Sequence, residues 1–415
     1  MEASFLRIFA KDSKRFCLTP RYISLLDRIE LIVYPVVVIF FKKIVKKKII
    51  VTSLLCLVAL IVIGGFLVTS KFQQKKHTSP ENVLSSATAV SPTISLLSPT
   101  ITSSPTPTIS LGHPVYIGMW TQGLWDDSSS ILHPEKLLGV QNAIGKKVAI
   151  AHFYTGWHNL SKASTVTALQ TIGVNGWRPM ISINPSFSDN CSANGKTLYK
   201  AIADGNCDEL LHAIGKRIKE YGNPLFLRFA WEMNIDSMQW SIQKTGSSPS
   251  DFIAAWRRFH DIVVSEGGTN ALWVFAPNVN AYQSIAYNLL YPGDGYVDWT
   301  GLDGYNWGTT QSWTHWETFS SIFSSSYATI TNLAPAKPLM IAEVNTTDVG
   351  GNKAAWYRDM LAIQIPNNFP KITAVVFYNE DRSAQEHVNW LFDSAADSLQ
   401  AFSESIKRSM YLSSF

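Results

Sequence analysis

Cysteine is scarce in this chain, with four residues among 415. None falls in a CxxC pair, and no His/Cys cluster has the spacing of a metal site. A glycine-rich turn is also missing after the first strand-like run, where a nucleotide-binding open sheet would need one. No G-x-S-x-G elbow accompanies a plausible His/Asp pair. An excess of basic charge is absent from most of the length. Residues 1–76 carry 14 Lys and Arg against 4 Asp and Glu, whereas the rest carries 21 against 27. The net charge of +4 therefore belongs to the N-terminus and gives no reason to expect nucleic acid as a partner.

Long apolar runs are rare, so the exception is informative. Ile49–Val68 holds twenty residues without a charge, about the length needed to cross a ~30 Å hydrocarbon core as a helix. "KKIVKKK" (Lys42–Lys48) precedes it, and this lysine excess predicts a cytoplasmic N-terminus. The leader is too long for a cleaved signal peptide, and no small-residue cleavage site closes the run. Leu31–Phe41 is too short to span and contains Pro35; it is expected to lie at the membrane interface. Thr78–Pro114 is dominated by Ser, Thr and Pro with almost no charge, which predicts an extended, disordered stalk. The expected organisation is a basic cytoplasmic segment (1–48), one transmembrane helix (49–68), a linker (69–112) and a globular domain (113–410) at the outer face of a cell membrane. Cys191 and Cys207 would then lie outside, either as a loop-closing disulfide or as free thiols.

From about His113 the texture changes. Eight apolar or β-branched runs recur: Val115–Trp120, Lys147–Tyr154, Arg178–Asn184, Pro224–Trp231, Ala271–Asn278, Val297–Trp307, Lys337–Asn345 and Ile372–Glu380. Helical patterns lie between several of them. Cys207–Gly222 has Leu210, Leu211, Ile214 and Ile218 on one face, and Pro249–Gly268 has a Ser/Asp start and a Gly stop. Eight strands alternating with helices predict an α/β fold, the (β/α)8 TIM barrel, rather than a doubly wound open sheet.

Catalytic groups of such barrels cluster at the C-terminal ends of the strands. Glu232, in "LFLRFAWEMN", ends the fourth run, and Glu343, in "MIAEVN", ends the seventh. Two glutamates facing each other across one mouth are what glycoside hydrolysis needs: one protonates the leaving oxygen while the other attacks, at about 5–5.5 Å separation for retention. The alternative is that each merely pairs with a nearby arginine, Arg228 first.

"PLFLRFAWEMN", "WVFAPN", "YPGDGYVDWTGLDGYNW" and "KPLMIAEVN", in that order, resemble glycoside hydrolase family 26, best known for endo-β-1,4-mannanases. The likeness runs from about Val115 to Asp393. It implies a retaining mechanism without a cofactor, with Glu232 as acid/base and Glu343 as nucleophile. It also implies that Tyr305 hydrogen-bonds the nucleophile, with Arg228 adding positive potential. The family usually has histidine immediately before the acid/base; this chain has Trp231. An indole can donate one hydrogen bond but accepts none and carries no charge, which bears on substrate choice.

Fourteen tryptophans offer flat faces for sugar rings. Trp120, Trp157, Trp240, Trp307 and Tyr378 stand at or just beyond strand ends, whereas Trp256 on a helix reads as packing. Trp157, Trp231, Trp240, Trp307, Tyr378 and Asn234 form the expected substrate-contacting set. Asp303 and Asn278 are further strand-end polar groups. Three functions stay open: a β-mannanase-like hydrolase, a hydrolase of mixed-linkage glucan or xylan, and a catalytically silent glycan-binding surface protein. Polysaccharide is the expected partner in all three.

Overall fold

A computed structural model describes residues 113–415. The expectations for the N-terminal segment, the transmembrane helix Ile49–Val68 and the linker fall outside these residues. Among the described residues no helix is long and apolar enough to cross a membrane.

Eight parallel strands close on themselves: β1 (Val115–Thr121), β2 (Ile150–Gly156), β3 (Arg178–Asn184), β4 (Leu225–Phe229), β5 (Ala271–Phe275), β6 (Trp299–Asn306), β7 (Leu339–Thr346) and β8 (Ile372–Asn379). The β8–β1 pairing runs from Tyr116 opposite Ala374 to Thr121 opposite Asn379 and leaves no edge in the ring. Each of the eight runs expected from the sequence becomes one of these strands, so the architecture is the (β/α)8 barrel.

Helices α1 (Pro134–Ile144), α2 (Ala163–Val174), α3 (Asp208–Tyr221), α4 (Pro249–Ser265), α5 (Phe319–Leu333), α6 (Lys353–Asp359) and α7 (Ala396–Ile406) form the outer layer. On α3 the stripe Leu210, Leu211, Ile214 and Ile218 is buried, and Gly222 ends the helix at a φ of 75°. α4 begins with a capping box. The Ser248 hydroxyl accepts from the Asp251 amide, whose carboxylate accepts from the Ser248 amide, and Pro249 fills the first turn. One departure from strict alternation stands out: the β5–β6 connection holds two short 3₁₀ turns, Tyr287–Leu289 and Asp294–Tyr296, in place of a long helix.

Small and medium apolar side chains fill the barrel interior, among them Ala149, Ile150, Met180, Phe226, Ala276 and Ala342. The packing is tight enough that a Cβ on Gly118 would come within 2.8 Å of Ile150 Cβ and Val376 Cγ2. The fold runs on past residue 410. Tyr411–Leu412 pairs with the start of β1, and the Phe415 ring stacks 3.9 Å from Tyr116 with the Arg178 guanidinium 3.6 Å from its centroid. These partners sit at or near strand starts, so the half-exposed Phe415 packs across the N-terminal end, opposite the strand C-termini that form the mouth.

Candidate active site

β4 ends in an unusual turn. Ala230 and Glu232 both take left-handed backbone angles, with φ of 51° and 54°. Neither is glycine, and such residues cost about 1–3 kcal/mol each, held by the surrounding structure. Backbone hydrogen bonds hold them here, from Ala230 N–H to the Ile183 carbonyl (2.9 Å) and from Glu232 N–H to the Ala276 carbonyl (3.0 Å). The turn brings Glu232 over the mouth with 5% of its surface exposed. Its Oε1 accepts from Asn278 Nδ2 at 2.6 Å. Asn278 is itself clasped by Asn234, whose Oδ1 accepts from the Asn278 amide (2.9 Å) and whose Nδ2 donates to the Asn278 carbonyl (3.0 Å). Burial, reinforced by the charge of Glu343 and only partly offset by Asn278, pushes the Glu232 carboxyl up to about 7.

Glu343 is aimed by an irregularity in β7. Leu302 on β6 pairs with Ile341, but the next residue, Asp303, pairs with Glu343, so Ala342 is an extra residue. Such a bulge re-aims the side chains around it, and here it sets Glu343 beside Asp303. Glu343 accepts at both oxygens: Oε1 from Arg228 Nη1 (2.6 Å) and Oε2 from the Tyr305 hydroxyl (2.6 Å). Acceptance at both oxygens is the pattern of an ionised carboxylate. The fully buried Arg228 also donates to Ser182 Oγ (3.1 Å) and forms an ion pair with Asp303. Burial alone would lower its affinity for a proton, but the Asp303 and Glu343 carboxylates outweigh that and raise it. His152, hydrogen-bonded to Ser182 (2.7 Å), is pushed well below its ordinary range by burial and then by Arg228, so it is neutral.

Aromatic rings wall the mouth on two sides. On the Glu232 side, Trp231 packs 4.2 Å from Trp240, whose indole N–H donates to the Trp231 carbonyl (2.7 Å). Tyr154 lies 5.2 Å from Trp231, and the Arg228 guanidinium 5.7 Å. On the Glu343 side, Tyr305 neighbours Tyr378 (5.9 Å) and Trp307 (6.4 Å). Trp307 continues outward to Trp313, 6.3 Å away and 74% exposed. Tyr378 donates to Glu380 Oε2 (2.7 Å), which also accepts from Trp120 Nε1 (2.9 Å).

Two expected substrate contacts are corrected by this geometry. Trp157 has no exposed surface; its N–H donates to the Ser186 carbonyl (2.9 Å) and its ring packs against Phe229, so it is core. Asn234 is likewise fully buried with its amide spent on Asn278, so it positions the partner of Glu232 and touches no ligand. Trp256 is buried packing, as its helical position predicts.

The family model for glycosyl hydrolase family 26 matches residues 189–374, a span that contains Arg228, Glu232, Tyr305 and Glu343. Residues 189–374 carry the sequence pattern of glycosyl hydrolase family 26. Over 209 residues it is 35% identical to Endoglucanase H of Acetivibrio thermocellus, a match that covers 49% of this chain but 22% of that protein. Over 276 residues it is 25% identical to a mannan endo-1,4-beta-mannosidase of Bacillus subtilis, covering 59% of this chain and 70% of that one. Among solved structures, the family 26 β-mannanase BoMan26A of Bacteroides ovatus superposes with a TM-score of 0.53 at 16% identity, covering 72% of this chain and 90% of the other. The catalytic domain of a Bacillus sp. JAMB-750 family 26 endo-β-1,4-mannanase gives 0.53 at 20%, with 71% and 86% covered. At these identities the two structures speak to the fold.

In this family 26-like barrel several site residues carried no clear sequence signal. Asn278 and Asp303 were visible only as polar strand-end residues without a role. Ser182 and Tyr154 sit inside β-branched or aromatic runs, where nothing in the sequence separates them from packing. Glu380 and Trp390 come from the β8 end and the loop beyond it. Asn345 Nδ2 ties both Tyr378 and Trp390 carbonyls (2.6 Å each) and so fixes that wall. Cys191 and Cys207 form a disulfide in the loop after β3, which settles the alternative that the sequence left open. Among the described residues no group of three His, Cys, Asp or Glu side chains is placed to hold a metal ion.

Proposed function

We propose that this chain is a retaining β-glycoside hydrolase, most similar in action to β-mannanases, working by double displacement with Glu343 as nucleophile and Glu232 as acid/base. The observation that carries this reading is the unlike setting of the two glutamates at one mouth. Glu343 accepts from a guanidinium and a phenol, whereas Glu232 is desolvated and meets only a neutral amide. One Glu343 oxygen attacks the anomeric carbon and forms the glycosyl ester as the glycosidic bond breaks. Glu232 gives its proton to the departing oxygen. Esterification removes the Glu343 charge, one of the causes that raise Glu232, so Glu232, its proton given to the leaving group, stays ionised and is available as the base that takes a proton from water as that water displaces Glu343 from the sugar. Tyr305 and Arg228 hold the nucleophile in place throughout.

A second reading, hydrolysis of another β-glycan such as mixed-linkage glucan or xylan, is favoured by Trp231 and by the relative at 35% identity that is named an endoglucanase. We further propose that the enzyme is held at a cell surface by Ile49–Val68. Support comes from the uncharged run and the lysines before it. Reducing-sugar release by the full chain on β-mannan, mixed-linkage β-glucan and xylan tests the activity. Proton NMR of the first product tests retention. Glu343→Ala should abolish turnover while leaving polysaccharide binding intact. Binding without turnover on every substrate would overturn the hydrolase reading and leave a glycan-binding protein.

A further inference from the structure

We propose that Tyr154 is a further catalytic residue, its hydroxyl donating a hydrogen bond to the sugar ring under attack at an oxygen beside the anomeric carbon. This rests on the hydrolase reading above. Tyr154 lies near the C-terminal end of β2, its ring between Trp231 (5.2 Å) and Tyr378 (6.2 Å) and against His152 (4.4 Å). The hydroxyl is buried and has no hydrogen-bond partner in the protein. Leaving such a group unpaired costs about 1–3 kcal/mol, and protein interiors pair nearly all of theirs.

The exception is not isolated. Among the described residues, the buried side-chain atoms without a partner include His152 Nδ1, Arg228 Nε and Asp303 Oδ1 as well as Tyr154 Oη, all in this one site. Burial and the Glu343 charge raise the Tyr154 phenol well above its ordinary range, so it keeps its proton and is a donor in search of an acceptor. Glu343 is close enough to raise the Tyr154 phenol both by its charge and by a loose hydrogen-bonding contact, yet its oxygens already accept from Arg228 and Tyr305, and no well-formed hydrogen bond joins it to Tyr154. A ligand oxygen would give the hydroxyl the well-placed acceptor that no protein group supplies. A sugar ring seated for attack by Glu343 carries oxygens on both neighbours of its anomeric carbon, and hydrogen bonds there strengthen in the transition state.

Tyr154→Phe tests this in the full chain. A hydroxyl that bonds the seated sugar, and bonds it more strongly in the transition state, predicts that kcat falls about 10- to 100-fold while KM rises about two- to fivefold. The ligand-free variant should melt at the same temperature as the parent or higher, because an unpaired buried group has been removed. A kcat within about twofold of the parent overturns the proposal, as does a lowered melting temperature, which would mark a structural hydroxyl. If the parent turns over no polysaccharide, the hydrolase reading has failed separately, and calorimetric titration with mannohexaose and a mixed-linkage glucan hexasaccharide reads the contact instead. Weaker binding by Tyr154→Phe supports it, and unchanged binding overturns it.

Discussion

Glu232→Gln should make the protein inactive and, above neutral pH, more stable. The side chain is nearly isosteric and its Oε1 can still accept from Asn278 Nδ2, which is 2.6 Å from the native oxygen. What changes is titration. In the folded chain burial, with the Glu343 charge, moves this carboxyl from 4.5 to about 7. The folded state therefore holds the proton more tightly than the unfolded state. Below pH 4.5 both states are protonated and no penalty arises. As pH rises from 4.5 to 7 the unfolded chain ionises first, and folding stability falls until the native carboxyl ionises too.

The shift corresponds to about 3 kcal/mol at 1.36 kcal/mol per pH unit. In a domain of this size that is a melting-point difference on the order of 5–10 °C. Calorimetry of parent and variant between pH 4.5 and 8 should show the advantage of Glu232→Gln growing across that window and levelling off above about pH 7. The parent's kcat/KM should lose activity over the same upper limb, since the leaving oxygen then finds no proton. An advantage that stays flat with pH would refute the assignment of the raised carboxyl to Glu232.

Three other perturbations probe the surrounding shell. Asn278→Ala removes the hydrogen bond that favours the ionised form of Glu232, so the alkaline limb of the pH–rate profile should move to higher pH; a move to lower pH would contradict the geometry. Arg228→Met strands Asp303 and Glu343 in the barrel without their guanidinium and should cost about 3–5 kcal/mol in a denaturant titration, whereas a change below about 1 kcal/mol would show the ion pairs to be dispensable. Reduction of Cys191–Cys207, sixteen residues apart, should lower stability by about 3 kcal/mol through loop entropy. The Cys191→Ala/Cys207→Ala variant should be indifferent to reductant.

The eight strands were legible because each is a short apolar or β-branched run buried on both faces, the pattern a parallel sheet covered by helices requires. α3 and α4 were legible from their stripes and stops. The missing fifth helix follows from its sequence: Pro277–Asp298 carries Pro292, Gly293 and Gly295 and repeated Asn, which break a helical period. The two glutamates were legible because strand-end acids in apolar surroundings need a reason. Trp157 and Asn234 were misread because distance from a strand end gives a residue's height in the barrel but not its direction. Trp157 opens the short helix Trp157–Leu160 and folds back under the mouth. The bulge at Ala342 that brings Asp303 beside Glu343 has no sequence mark, since alanine is at home in a regular strand interior.

Where the proton resides comes down to how β4 ends. Arg228 and Glu232 are four residues apart, and in a strand that stayed extended Arg228, Ala230 and Glu232 would point to the same face. The guanidinium would then reach toward Glu232 as well as Glu343, and Glu232 would be drawn to ionise. The left-handed turn at Ala230 and Glu232 breaks that alignment. Arg228 stays in the barrel, bound to Asp303 and Glu343, while Glu232 is lifted to Asn278, whose amide is neutral. One guanidinium is thereby committed to Glu343 and Asp303, the latter still raised well above its ordinary range by burial, while Glu232, bound only to an amide, is pushed up to about 7. The backbone strain in "FAWEMN" is in this sense part of what keeps the Glu232 carboxyl raised. A substitution that relaxes it, leaving every catalytic side chain in place, should lower the alkaline limb of the pH–rate profile by letting Glu232 share Arg228.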